Sequence, residues 1–407
     1  MKSKSLSASF FVKNRERAME KLRGGLLVVA GYKAMQKTND EEFRFAQEGN
    51  MWYLSGIEFP DWWLIVDAQR NRSWLVEPKI DERHRLFTES LAIESAKEVS
   101  GINDVVSRDE AMSMLRAAAK THQLVYTVGQ FPHHDFFDFT LNPAIADMRA
   151  LLERTFVKVE DFRPELAKLR AIKQPIELEM MQEAIDLTAK GLKEVKSKID
   201  TYKHEYEIEA DLSYLYRATG GSGHAFDPIV ASAGNATVAH YFTNNSPLKK
   251  GSFVMIDVGA KVGGYVGDIT RTYAHGKPTA RMISVHDSVK AAQKEIIELL
   301  KPRLPVEEYY RNVDRIIKQA MIDLKLISSM DDEDGYRRFM PYSVSHGLGV
   351  DVHDALGKPR IFEAGMVLTV EPGIHIVDEN IGVRIEDDVL ITDTGYKILS
   401  GKLSTDL

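Results

Sequence analysis

Four carboxylates in the second half of this 407-residue chain stand where an apolar run stops. Asp257 follows Phe253-Val254-Met255-Ile256, and Asp268 comes eleven residues later in Gly264-Tyr265-Val266-Gly267-Asp268, so a hairpin would return the second carboxylate to the first. Glu371 ends the run Met366-Val367-Leu368-Thr369-Val370 and precedes Pro372-Gly373. Glu386 lies in Val383-Arg384-Ile385-Glu386, where period-two alternation puts Arg384 and Glu386 on one face. Singly, each acid reads as an ordinary turn or capping residue. Four together, each abutting a buried run, repel one another and are costly to bury without compensation. Two divalent cations set four positive charges against four carboxylates, and paired ions about 3.5–4 Å apart are a recurring hydrolytic arrangement. Arg384 could then support a ligand or the substrate.

Three histidines bear on the same chemistry. His346 sits in Ser345-His346-Gly347-Leu348-Gly349, His353 follows seven residues on in Val352-His353-Asp354, and His240 lies in Ala239-His240-Tyr241. A single His in a Gly-rich loop is most often structural or exposed; beside so many carboxylates, His346 is the natural nitrogen donor. His133-His134-Asp135 also offers ligand types, but adjacent residues on a loop rarely converge on one ion, and a solvated loop is the simpler reading.

These residues need elements to hold them. Trp62–Val66 and Ser73–Val76 are β-rich runs joined by a polar turn, which predicts a hairpin. Asp109 to Lys120 reads as a helix and Leu124 to Val128 as a buried strand, giving an α/β pattern without recognisable chemistry. Near Phe162-Arg163-Pro164 the pattern changes, and the domain boundary is placed at about residue 162. Leu166 to Lys173 reads as one helical segment. Pro175 stands where a first-turn proline starts another, with Leu178, Met181, Ile185, Leu192 and Val195 as its apolar stripe and Met180 and Met181 as core fillers. Beyond residue 225 the predicted strands Phe253–Ile256, Met366–Val370 and Val389–Thr392 enclose helices over 283–300 and 306–324.

Composition narrows the class. The chain is 44% hydrophobic and 28% charged with a net charge of -7, so no basic stripe invites a nucleic acid. It holds no cysteine, which removes disulfides, thiolate metal sites and a Cys nucleophile and fits a reducing cytoplasm. The apolar stretch near the start is broken by Lys13 and Arg15, short of a secretory segment, and no apolar run reaches the ~18 residues of a membrane span. A soluble, cytoplasmic protein without membrane partners is expected.

Six segments together carry a resemblance: His224-Ala225-Phe226-Asp227-Pro228-Ile229-Val230, Ile256-Asp257-Val258-Gly259, Gly267-Asp268-Ile269-Thr270-Arg271-Thr272, Ser345 to Asp354, Thr369-Val370-Glu371-Pro372-Gly373 and Gly382-Val383-Arg384-Ile385-Glu386-Asp387. In this order they resemble the pita-bread metallopeptidases, and within them the proline-specific branch of Xaa-Pro dipeptidases (prolidases) and Xaa-Pro aminopeptidases (aminopeptidase P). Phe43-Arg44 and Asn50-Met51-Trp52-Tyr53-Leu54-Ser55-Gly56 extend the likeness into the first half. The resemblance implies an α+β protein. A smaller α/β creatinase-like domain (1–162) would serve substrate access and dimerisation, ahead of a pita-bread catalytic domain (163–407).

The same resemblance implies that Asp257, Asp268, His346, Glu371 and Glu386 are metal ligands. Asp268 and Glu386 would bridge two ions, Asp257 would bind one of them through both oxygens, and His346 and Glu371 would bind the other. Glu371 would also take the proton from the nucleophilic water, while His240 and His353 steady the substrate and the oxyanion. Hardness favours Mn²⁺, with Co²⁺ or Zn²⁺ able to substitute. The implied substrate is a peptide with proline in the second position, cut before the proline by a homodimer. One position departs: aminopeptidase P carries a histidine four residues before the ligand histidine, where this chain has Tyr342. A packing tyrosine and a substrate-contacting one are both open, and the departure tilts the expectation towards a dipeptidase over an aminopeptidase acting on longer peptides. A methionine aminopeptidase fits the large first domain poorly. A metal-free binding module or creatinase-like enzyme would have lost ligand residues that are present here. The carboxylates alone would also suit a phosphoesterase.

Overall fold

Two compact units, Leu6–Leu169 and Arg170–Leu407, emerge from this pattern in a computed structural model that describes residues 6–81, 83–130 and 140–407. The unit division falls inside the helix Arg163–Ala171, a few residues past Phe162. His133, His134 and Asp135 lie outside the described residues.

The first unit is built on a mixed six-stranded sheet in the order Val105–Val106, Arg72–Val76, Trp63–Asp67, Leu26–Ala30, Leu124–Thr127, Lys158–Asp161. The expected hairpin is present, with Val66 opposite Ser73 and Asp67 opposite Arg72. Leu26–Ala30 is buried along its whole length, as a central strand covered on both faces should be. The helix Arg108–Ala118 begins on a capping box, Ser107 accepting from the Glu110 amide while the Glu110 carboxylate accepts from Ser107.

In the second unit the helix Pro175–Lys198 starts on its proline and buries Met180, Met181, Ile185, Leu192 and Val195. The strand Ser252–Val258 runs antiparallel to Ile229–Ser232 on one side and to Ile269–His275 on the other. Its register sets Asp257 opposite Thr270, two residues from Asp268, so the return anticipated from the spacing occurs. Between these strands the chain makes a small excursion, Ala260–Val262 against Tyr265–Val266, which sequence reading missed. A Cβ on Gly259 would come within 2.0 Å of the Gly267 carbonyl oxygen, so close backbone approach demands glycine here.

Two further antiparallel groups carry the remaining carboxylates. Val367–Val370 pairs with Asp387–Ile391, and Gly373–Ile376 pairs with Ile381–Arg384. The helices Ala280–Leu299 and Val306–Asp323 pack their apolar faces into the same core as Val370, Ile374, Val383 and Ile385. Glu371 and Glu386 therefore begin where strands anchored in that core end. Helices and strands are mixed throughout, the expected α+β arrangement. Among the described residues, no helix is long and apolar enough to cross a membrane.

Candidate metal centre

The strand ends bring the predicted ligands together. Asp268, His346 and Glu386 each offer one ligand atom, and these atoms lie within 4.8 Å of one another. His346 Nε2 is 3.5 Å from Asp268 Oδ2 and 3.3 Å from Glu371 Oε1. Asp257 completes the group electrostatically, its charge acting on Asp268, Glu386 and His346. His346 Nδ1 lies 3.0 Å from the Gly347 carbonyl oxygen, an acceptor only, so in the neutral ring Nδ1 carries the hydrogen and Nε2 presents its lone pair to the carboxylates. This is the orientation a ligand imidazole takes when its other nitrogen is tied down.

Burial and mutual repulsion dominate the electrostatics. Burial raises the Asp268 carboxyl well above the ordinary range, and the charges of Glu386, Asp257, Asp388 and Glu371 add to the effect. Burial likewise raises Glu386, with Glu371 and Asp257 as its repelling neighbours. Burial alone would lower His346, but the hydrogen bond and charge of Glu371 outweigh it and leave it raised. Arg384 is buried, and although burial disfavours its charge, Asp257 more than restores it. One guanidinium does not balance four carboxylates. Asp257 Oδ1 is buried with no hydrogen-bond partner, which is costly for a carboxylate oxygen unless something else binds it. An orphaned oxygen, crowded acids and a donor set of oxygens with one imidazole fit divalent cations.

The supporting residues are as specific as the acids. Arg384 Nη2 donates to Asp257 Oδ2 at 2.5 Å, and Arg384 Nε donates to Thr270 Oγ1 at 3.3 Å. Thr270 Oγ1 in turn donates to Glu386 Oε2 at 2.7 Å. Arg384 ends its strand and Glu386 lies in the two-residue link to the next, and the two side chains meet at one hydroxyl. The His353 ring stands edge-on to His346, with centroids 4.3 Å apart. Desolvation beside its neighbours, then the charges of His346 and His240, brings its pKa down to about 4, although the residue as a whole is exposed to solvent. His240 is exposed and stacked on Phe242. Tyr342 is half-buried, its hydroxyl 3.0 Å from His375 Nε2 and its ring 5.5 Å from the Arg384 guanidinium carbon.

Sequence reading missed several participants. Thr270 lay within a quoted motif but carries no charge to draw notice. Asp388, fully buried, accepts from the Asp268 amide at 3.2 Å; its place in the run Glu386-Asp387-Asp388 was the available signal. Asp354 is held by Arg170 at 2.8 Å and Lys173 at 3.3 Å, which pins the segment from His346 to His353. Glu205 is buried and accepts from the Ser232 amide and hydroxyl, Asn235, Tyr241 and the Ser246 amide. It thereby braces the segment bearing His240.

Comparisons with known proteins agree with this geometry. Residues 179–393 match Metallopeptidase family M24, and residues 11–126 match the aminopeptidase P N-terminal domain. The Xaa-Pro aminopeptidase of Haemophilus influenzae is 31% identical, over 91% of this chain and 89% of its own. The human Xaa-Pro dipeptidase is 26% identical, over 96% and 90%. Among solved structures, aminopeptidase P from E. coli with the inhibitor Pro-Leu superposes with a TM-score of 0.84 at 26% identity, covering 99% of this chain and 97% of that one. Proline aminopeptidase P II from Yersinia pestis gives 0.83 at 27% identity, covering 98% of each. The chain belongs to metallopeptidase family M24, its catalytic pita-bread domain preceded by an N-terminal domain of the aminopeptidase P type.

Proposed function

We propose that this metallopeptidase is an Xaa-Pro aminopeptidase, releasing the first residue of peptides that carry proline second. The observation that carries the reading is the aminopeptidase P N-terminal domain match at residues 11–126, ahead of the M24 match at 179–393. Near-full-length likeness to aminopeptidase P structures supports it. The sequence had tilted the other way, towards a dipeptidase, on the strength of Tyr342 alone. That ground is weakened because His375 sets an imidazole 3.0 Å from the Tyr342 hydroxyl. A dipeptidase remains the second reading, favoured by the likeness to the human Xaa-Pro dipeptidase.

In this reading Asp257, Asp268, His346, Glu371 and Glu386 hold two divalent cations, with Mn²⁺ the ion best matched to an oxygen-rich set bearing one imidazole. When bound, such ions lower the pKa of water and polarise the scissile carbonyl. Glu371 Oε1 accepts the proton of the attacking water and returns it to the leaving proline nitrogen. His353 and His240, from two separate loops, donate to the carbonyl oxygen as negative charge gathers there. Arg384 and Thr270 fix the orientation of Asp257 and Glu386. Proline makes a tertiary amide with a locked φ, so a cleft that accepts it must be shaped for it. A homodimer belongs to the same reading and is checked by light scattering.

The test is turnover of Ala-Pro against Ala-Pro-Ala after chelation and after adding Mn²⁺. Faster cleavage of the tripeptide, lost on chelation and restored by Mn²⁺, is expected. Cleavage of the dipeptide alone would establish the second reading, and full activity in metal-free protein would end both.

A further inference from the structure

We propose that His375 is a positioning residue for the reaction: through the Tyr342 hydroxyl it holds the tyrosine ring against Arg384 and so keeps that guanidinium aimed at Asp257. His375 lies on the strand Gly373–Ile376 and is 2% exposed. Its Nδ1 is 2.8 Å from the Ala236 carbonyl oxygen, which can only accept, so Nδ1 carries the hydrogen. The neutral ring then has a bare Nε2, and the group 3.0 Å from it is Tyr342 Oη, which must be the donor. Burial, then the charge of Arg384, lowers the His375 pKa to about 4, so the ring is neutral at pH 7. Burial raises the Tyr342 pKa, so the phenol keeps its proton. Every donor and acceptor in the chain from Ala236 to Tyr342 is therefore determined.

The far side of the tyrosine carries the consequence. Its ring lies 5.5 Å from the Arg384 guanidinium carbon, within cation–π range. Arg384 donates to Asp257 Oδ2 and to Thr270 Oγ1, the hydroxyl that also serves Glu386. The Tyr342 hydroxyl donates to His375, and its oxygen also takes part in a hydrogen bond with Arg384, so His375 governs where both the ring and the hydroxyl meet the guanidinium. Gly373 supplies the room: a Cβ there would fall 2.0 Å from Tyr342 Oη and 2.9 Å from His375 Nε2. Ala236, His375, Tyr342, Arg384 and Asp257 form one line of contacts from a backbone carbonyl to a predicted metal ligand.

The kinetic arm of the test rests on the Xaa-Pro peptidase reading; the spectroscopic arm does not. With ¹⁵N-labelled histidine, His375 should show an unprotonated Nε2, and Y342F, which keeps the ring volume, should shift that resonance. A protonated Nε2, or one indifferent to Y342F, would overturn the proposal. On Ala-Pro-Ala with Mn²⁺, Y342F and H375F should each lower kcat about tenfold, the scale seen when a partner behind a ligand is lost, with KM nearly unchanged. The double variant should lose no more than the singles, since both break one link. A pair that merely packs would lower Tm and leave kcat of the folded protein alone, and multiplying losses would also refute the link. If H375F does not fold, Y342F carries the kinetic arm. If the wild type cleaves no Xaa-Pro peptide, the functional reading fails and the nitrogen spectrum alone decides the pair.

Discussion

Replacing Asp354 with alanine should destabilise the C-terminal unit more than any ordinary surface change. The Asp354 side chain is 1% exposed, as is that of Lys173, and the Arg170 side chain is 5% exposed. Asp354 also accepts from the Val350 and Ala355 amides, at 3.2 and 2.8 Å. Arg170 would retain Asp351 at 2.6 Å, but Lys173, buried, would lose its ion-pair partner and keep the Arg170 carbonyl oxygen at 2.7 Å and the neighbouring charge of Glu177. Removing one partner of a buried pair costs about 3–5 kcal/mol. At about 2–4 °C per kcal/mol for a unit of this size, Tm should fall by about 6–20 °C. Adding K173M to D354A removes the stranded ammonium and should recover part of the loss. The pH dependence has a definite sign. Burial would raise the Asp354 pKa, but Arg170 and Lys173 outweigh it and leave it depressed. A depressed carboxyl contributes stability that is complete above its unfolded pKa and disappears as pH falls through the folded value. The gap between wild type and D354A should be full at pH 7 and close below about pH 4. Differential scanning calorimetry at several pH values reads both effects. A loss under about 1 kcal/mol, or a gap independent of pH, would refute the role given to this network.

Other substitutions probe the site more directly. T270V removes the hydroxyl shared by Glu386 and Arg384 and should weaken Mn²⁺ binding about 10–100-fold by calorimetric titration, the cost of losing a partner behind a ligand. E371A should lower kcat on Ala-Pro-Ala at least ~10²-fold, the low end for a group that moves a proton in the transition state. E205A strands donors that converge on one buried carboxylate and should cost about 1–3 kcal/mol in urea unfolding; raised KM should accompany it, because the segment with His240 loses its brace.

Much of this site was legible because strand ends leave a mark in sequence. Asp257 and Glu371 stand against apolar runs that had to be strands, and the eleven-residue spacing to Asp268 implied the return that the register confirms. Alternation puts Arg384 beside Glu386, and the two meet at Thr270 although Glu386 lies past the strand end. Pro175 announced its helix by missing hydrogen-bonding capacity that a first turn does not need. What escaped was pairing across long separations between residues without a local pattern. His375 alternates within a fully buried strand, and nothing near it points to Tyr342, thirty-three positions earlier. Glu205 looked like any acid in the first turn of a helix, where the dipole favours it. Its several donors come from chain positions 232 to 246. Asp354 follows a histidine that drew attention first, and its cationic partners lie near residue 170, before the motif-bearing part of the chain.

Anomalous diffraction from crystals grown with Mn²⁺, collected at the manganese edge, tests the central claim most directly. Two peaks about 3.5–4 Å apart are expected, enclosed by Asp257, Asp268, His346, Glu371 and Glu386, with the orphaned Asp257 oxygen on one of them. Peaks elsewhere, or a map without any in this cluster, would contradict it.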